Sequence, residues 1–249
     1  MANTHTKKFT ISSYDLNPGS QARLTTIANF FQEMAYQHAD QLGFGYRDLK
    51  EAQIYWVLSR MKIRMNNYPV WDDQIRVETW HNGMERLFGI RDFKVVDAAG
   101  NILGIATSAW LILDAQTRRP VRNYNEILQS GSGKEPVFGE RLDKIAIPDH
   151  LDVLYKRKVV FSDLDIMGHV NNVKYMEWCI DAALTSTLAD VEIREFEINF
   201  MNEALLGDEI EIFGTPAGNE ESFFSARRTA NEQEIFRVRL VWSYQGGTS

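Results

Sequence analysis

Apolar and polar positions follow two rhythms along this chain, and each rhythm appears twice in the same order. Leu24, Ile27, Ala28, Phe31, Ala35, His38 and Leu42 keep helical spacing, as do Val173, Met176, Ile180, Ala183 and Leu184. Each set forms one stripe, so each stretch predicts an amphipathic helix. Shorter runs rich in branched and aromatic residues predict strands. The first half predicts a strand near Phe9–Tyr14, a helix near Leu24–Leu42, and strands near Tyr55–Met65, Gln74–Trp80, Phe88–Val96 and Ile102–Leu113. The second half predicts a strand near Lys158–Phe161, a helix near Val173–Leu188, and strands near Arg194–Phe200, Glu209–Gly214, Ser222–Thr229 and Ile235–Tyr244. One long helix followed by consecutive strands on short turns implies an antiparallel sheet wrapped on a helix, hence an α+β fold built twice.

Between the halves, Asp114 to Asp152 has turn and linker composition, with Pro120, Pro136, Pro148 and the run Gln129-Ser130-Gly131-Ser132-Gly133. This predicts a first half over 1–125, a connector over 126–150 and a second half over 151–249. Ungapped comparison pairs Asp15-Leu16 with Asp163-Leu164, an offset of 148, and Asp72 with Asp208, an offset of 136. In those registers Asn17 stands where Asp165 does, Gln21 where His169 does, and Asn67 where Glu203 does. A fused pair that kept titratable groups in one half predicts one active site per chain.

Composition narrows the class. The 249 residues are 44% hydrophobic and 12% aromatic, enough for a packed core. No window approaches the roughly 18 apolar residues of a membrane span, and Met1 to Lys8 lacks a signal-peptide stretch, so the expected location is the cytoplasm. The single cysteine, Cys179, excludes an intrachain disulfide, and on its helix it reads as a buried, inert thiol. A net charge of -7 argues against broad binding to nucleic acid or anionic lipid. His38 reads as a core or rim residue and His81 as a strand-end residue. With His5 and His150 in polar surroundings, no metal-ligand cluster emerges, and no cofactor is expected. A G-x-S-x-G elbow and a phosphate-cradling glycine loop are also absent from the sequence.

The chemistry concentrates in Ser162-Asp163-Leu164-Asp165-Ile166-Met167-Gly168-His169-Val170-Asn171-Asn172-Val173-Lys174-Tyr175. Lying between a predicted strand and a predicted helix, this loop can present a carboxylate, an imidazole and helix-start N–H groups together. Backbone N–H groups near Gly168 to Val170 are candidate holders of an oxyanion, favoured by the helix dipole. Asp163 reads as a turn or capping residue because its counterpart Asp15 persists in the half without the other charges.

The chain resembles acyl-acyl carrier protein thioesterases of the plant plastid and bacterial type, which have the double hotdog fold. The likeness rests on Trp56-Val57-Leu58-Ser59-Arg60, Tyr68-Pro69, Val77-Glu78-Thr79-Trp80, Ile90-Arg91-Asp92, Thr107-Ser108-Ala109-Trp110, Thr117-Arg118-Arg119 and the loop above. It implies hydrolysis of a fatty acyl thioester on acyl carrier protein, with Asp165, His169 and Glu203 as catalytic residues. Substrate contacts are expected from Gly168, Val170, Asn171 and Asn172. It also implies an acyl tunnel in the first half, for which Phe30, Phe31, Met34 and Trp56 are candidate walls, with ordinary core packing the alternative for each. Two departures stand out. Met167 occupies the place of an asparagine in plant members, a gap for which Asn171 and Asn172 are the candidates, and Ala204 replaces a cysteine, which rules out a thiol nucleophile there.

An acidic carrier needs a basic landing site, and Arg118, Arg119 and Arg122 or Lys156-Arg157-Lys158 are the candidates, unless they are merely solvated runs. The alternatives are an acyl-coenzyme A thioesterase on the same scaffold and a non-catalytic acyl-binding protein. A homodimer is compatible with either. Either Asp165 or Glu203 can activate the attacking water, or one of them can attack directly.

Overall fold

The computed structural model describes residues 4–121, 131–184, 191–215 and 220–244, and the chain divides into two compact units, 1–142 and 143–249. The first unit contains β1 (Thr4–Thr10), a 3-10 turn at Ser13–Asp15, α1 (Leu24–Gln41), α2 (Tyr46–Glu51), β2 (Ile54–Met65), β3 (Gln74–Glu85), β4 (Phe88–Val96) and β5 (Ile102–Asp114). The second contains β6 (Asp152–Lys158), a 3-10 turn at Phe161–Asp163, α3 (Asn172–Leu184), β7 (Val191–Phe200), β8 (Glu209–Gly214), β9 (Glu221–Arg228) and β10 (Glu234–Tyr244). Strands run β1-β3-β4-β5-β2 in the first unit and β6-β8-β9-β10-β7 in the second, antiparallel at each of these pairings. The topology is therefore the same twice.

Both first strands start earlier than the apolar pattern predicts. Phe9-Thr10-Ile11 and Val159-Val160-Phe161 draw attention to the strand ends, whereas β1 and β6 are edge strands with exposed polar residues such as Lys8, Lys156 and Lys158. A charged edge resists pairing with another chain. The predicted helix stripe holds in α1, where Leu24, Ile27, Ala28, Phe31, Met34, Ala35 and His38 are buried. The last predicted turn of the second helix, beyond Leu184, lies outside the described residues. The short α2 carries too few residues for periodicity to reveal it.

The backbone repeats almost bond for bond. Asp15 accepts the Ser12 N–H at 2.8 Å and Asp163 the Val160 N–H at 2.9 Å. Asn17 N–H donates to the Gln21 carbonyl at 2.7 Å, as Asp165 N–H does to that of His169 at 2.8 Å. Gln21 N–H returns to Asn17 Oδ1 at 3.1 Å, and His169 N–H to Asp165 Oδ1 at 3.3 Å. These pairs keep the offset of 148. The later turn keeps 135: Val70 N–H donates to Asp73 Oδ2 at 2.8 Å and Leu205 N–H to Asp208 Oδ2 at 2.9 Å. Asp208 therefore matches Asp73 rather than Asp72, and Glu203 matches Tyr68 rather than Asn67. The sequence comparison misaligned by one because two adjacent aspartates, Asp72 and Asp73, compete for one partner.

The proline- and glycine-rich connector is not a free tether where it is described. Phe138, Leu142 and Ile145 are buried. Val137 N–H donates to the Asp92 carboxylate at 3.2 Å, and Lys62 pairs with Glu140 at 2.6 Å. Past the boundary, the Ile145 N–H donates to Asn199 Oδ1 at 2.7 Å. Buried backbone groups need such partners, and these side chains supply them.

Candidate active site

The loop between β6 and α3 is built around a buried carboxylate. Asp163 is 1% exposed and accepts from Arg157 at 2.6 Å and from the Val160 N–H, which closes the 3-10 turn. The chain then doubles back: Leu164 and Val170 form an isolated antiparallel bridge, with Gly168 at φ 79° between them. That conformation is easiest for glycine. Its counterpart Ser20 adopts φ 62°, so the loop tolerates a side chain there at a cost in strain. Asn171 Oδ1 accepts the Val173 N–H at 2.9 Å and caps α3.

This fold-back brings the sequence-predicted residues together. His169 Nε2 lies 3.6 Å from Glu203 Oε2, with both side chains about one-third exposed. That is ion-pair range, too long for a direct hydrogen bond and open to a bridging water. Asp165 sits across the same loop, but its Oδ1 already accepts the Met167 N–H at 2.8 Å and the His169 N–H. It braces the turn that carries the imidazole.

The backbone donors are distributed differently from the expectation. Gly168 N–H donates to the Asp165 carbonyl at 3.0 Å, His169 N–H to Asp165 Oδ1, and Val170 N–H to the Ala204 carbonyl at 3.2 Å. All three are consumed in holding the loop, and Asn171 N–H is taken by the Asp163 carbonyl at 2.9 Å. The Asn172 N–H, at the first position of α3, has no acceptor among the described residues. Asn171 is also committed through its cap, which leaves the half-buried Asn172 as the amide side chain able to turn toward substrate.

Two contributors received no role from the sequence: Tyr175, at the end of the singled-out stretch, and Arg228. Tyr175 is buried, and its hydroxyl accepts the N–H of fully buried Ala204 at 2.9 Å, fixing the residue next to Glu203. Burial raises its phenol well above the ordinary value, and the nearby carboxylates of Glu203 and Asp165 push the same way, so it keeps its proton. Arg228 donates to Asp208 at 2.8 Å and to the Glu203 carbonyl at 2.7 Å. The signal for Tyr175 was available: its counterpart at the 148 offset is Ile27, a repeat position that turns polar only in the half with the ionisable groups.

Other candidates fall elsewhere. In the first unit Phe31 and Met34 are core residues of α1, Phe31 packing on Phe93 at 4.7 Å. Phe30 stacks on Phe9 at 4.2 Å, and Trp56 joins a separate cluster with Phe44, Leu49, Ile54 and Ile112. His81 is inside β3 and buried, not at a strand end. His38 is fully buried and accepts from Arg91 at 2.7 Å on Nδ1. Burial, with help from Arg91, His5 and His81, lowers its pKa to about 3, so it is neutral. Burial likewise raises the Cys179 thiol, leaving it inert. Lys156 pairs with Glu211 at 2.5 Å and Arg157 with Asp163, while Arg122 lies outside the described residues. No group of three or more His, Cys, Asp or Glu suited to a metal occurs among the described residues.

The family description "Acyl-ACP thioesterase N-terminal domain" matches residues 2–130, and "Acyl-ACP thioesterase C-terminal domain" matches 150–244. The chain belongs to the acyl-ACP thioesterase family. Oleoyl-acyl carrier protein thioesterase 2 of Arabidopsis thaliana is 27% identical over 96% of this chain and 76% of its own length. The palmitoyl-acyl carrier protein thioesterase of the same plant is 28% identical over 98% of this chain and 65% of its own length. The crystal structure of an acyl-ACP thioesterase from Bacteroides thetaiotaomicron superposes with a TM-score of 0.86 at 27% identity, covering 96% of this chain and 98% of that one. The 12:0-ACP thioesterase of Umbellularia californica shares the fold at a TM-score of 0.81 and 23% identity, over 96% of this chain and 97% of that one. The duplicated helix-on-sheet unit is thus the double hotdog of the acyl-ACP thioesterases. No helix among the described residues is long and apolar enough to cross a membrane.

Proposed function

We propose that the protein hydrolyses the thioester joining a fatty acyl chain to the phosphopantetheine arm of acyl carrier protein, releasing a free fatty acid and ending elongation. The observation that carries this reading is the approach of His169 to Glu203 beside Asp165, in the one unit whose loop has ionisable groups where its twin has Asn17 and Gln21. With one Asp165 oxygen committed to the loop, Glu203 is the better base. It takes a proton from a water whose oxygen bonds to the carbonyl carbon. The Asn172 N–H, with the N-terminal end of α3 behind it, faces the oxygen that becomes negative. Collapse of the tetrahedral intermediate breaks the carbon–sulfur bond, and the departing thiolate recovers the proton through the His169–Glu203 pair. Asn172 supplies the amide that Met167 does not. Tyr175 and Arg228 hold the backbone on either side of Glu203.

The first unit, without these groups, is the reservoir for the acyl chain. Each methylene buried there contributes about 0.8 kcal/mol. Thiol release measured across a series of acyl-carrier esters tests activity and chain length together. Glu203→Gln is expected to lose at least about a hundredfold in kcat. Full activity in that variant, or hydrolysis confined to coenzyme A esters, would refute the reading.

A further inference from the structure

Six large apolar side chains of the second unit, Val160, Phe161, Ile166, Met167, Leu205 and Leu206, are between 44% and 83% exposed. They lie on the loop and the turn that carry Asp165, His169 and Glu203. Gly207 N–H donates to the Val159 carbonyl at 3.0 Å, Val159 N–H to that of Asp208 at 2.8 Å, and Val170 N–H to that of Ala204. The turn bearing Leu205 and Leu206 is thereby pinned to both ends of the loop bearing the other four.

The first unit provides an internal control. Its loop makes the same backbone hydrogen bonds with Ser12, Ser13, Pro18 and Gly19 where the second has Val160, Phe161, Ile166 and Met167. Tyr14, at the place of Ser162, is exposed, and Val70-Trp71 matches Leu205-Leu206, so the turn is apolar in both units. The loop is apolar only beside the ionisable residues. Its skeleton does not require greasy side chains, and large exposed apolar patches mark interaction surfaces.

We propose that this apolar collar is the docking face for the folded carrier protein that bears the thioester, an inference that rests on the function proposed above. The scissile bond is covalently tied to the carrier. Whatever carrier surface surrounds the attachment point must therefore come to rest on what surrounds the trio, and that surface is apolar. Nearby cations are largely neutralised within the chain, Lys156 by Glu211 and Arg157 by Asp163. Lys158, exposed at the end of β6 with no ion-pair partner among the described residues, is the cation left at the edge for an acidic partner. Carrier docking is thus apolar contact first and charge second.

The test is the double variant Phe161→Ser/Ile166→Ser, assayed on an acyl-carrier ester and on the pantetheine ester of the same acyl chain. The Michaelis constant for the carrier ester should rise about tenfold, with turnover of the pantetheine ester unchanged. Equal loss on both esters, or no change on the carrier ester, overturns the proposal. Vesicle sedimentation with phosphatidylcholine and phosphatidylglycerol, and light scattering, are run on both proteins. Loss of vesicle binding or of a dimer in the variant, with carrier kinetics unmoved, would assign the collar to a bilayer or a second copy instead. Anisotropy of a labelled acyl carrier titrated with each protein measures docking without turnover. If neither ester is hydrolysed yet wild type binds the carrier about tenfold more tightly than the variant, the functional reading falls and the docking surface stands.

Discussion

In the first unit Asn17 and Gln21 close a loop through two hydrogen bonds, and in the second Asp165 and His169 close the same loop through the same two bonds. Side-chain oxygen for side-chain oxygen, the scaffold cannot tell an asparagine from an aspartate here. The loop geometry is thus a property of the duplicated fold, and the chemistry is what one copy added to it. Around the addition, Tyr175 replaces Ile27, Glu203 replaces Tyr68, and four apolar residues replace Ser12, Ser13, Pro18 and Gly19. The first unit spends its buried polar groups differently. Its Arg91 and neutral His38 face each other between helix and sheet, and Asp92 is held by Thr107, Asn82 and Val137.

The sharpest way to break this comparison is to make the second loop read like the first. Asp165→Asn with His169→Gln keeps every backbone acceptor, so the melting temperature should stay within a few degrees while hydrolysis falls by about a thousandfold or more. Unfolding of the variant would show that the charges hold the loop. The paired carboxylates Asp15 and Asp163 separate the copies next. Asp163→Ala strands Arg157, which is stacked on Trp178, and should cost about 3–5 kcal/mol in urea unfolding, whereas Asp15→Ala, losing a backbone cap alone, should cost about 1–2 kcal/mol.

Acid should act on the first unit through His38. Its folded pKa, near 3, lies below the ordinary 6.5, so below pH 6.5 the unfolded state takes up the proton first. Stability therefore declines as pH falls from 6.5 toward 3, by up to about 1.4 kcal/mol per pH unit, and no such contribution operates above 6.5. His38→Gln, which still offers Arg91 an acceptor, should flatten that limb when unfolding is compared at pH 7 and 4.5. An unchanged limb would mean the imidazole is not the group responsible.

Smaller effects follow. Tyr175→Phe removes the acceptor of the buried Ala204 N–H and should cost about 1–2 kcal/mol, lowering kcat for carrier and pantetheine esters alike because Glu203 shifts. A change confined to one ester would argue against a positioning role. Lys158→Glu should raise the Michaelis constant for the carrier ester about twofold to fivefold at low salt, an effect that fades as salt is added.

The amino-acid sequence by itself determined the two helices, most strands, the duplication and the cluster of Asp165, His169 and the helix start. Periodicity and short-range turn chemistry are written locally, and a repeat doubles the signal. Tertiary structure alone decided which groups remain available. Gly168, His169 and Val170 looked like free donors because their acceptors, in Asp165 and Ala204, are fixed only when the loop folds back on the turn after β7. The same fold-back set Glu203 opposite His169, moved Asn171 into a cap, and brought a tyrosine from the start of α3 against the residue next to the base. Hydrogen-bond saturation is a property of the closed network, and linear order does not carry it.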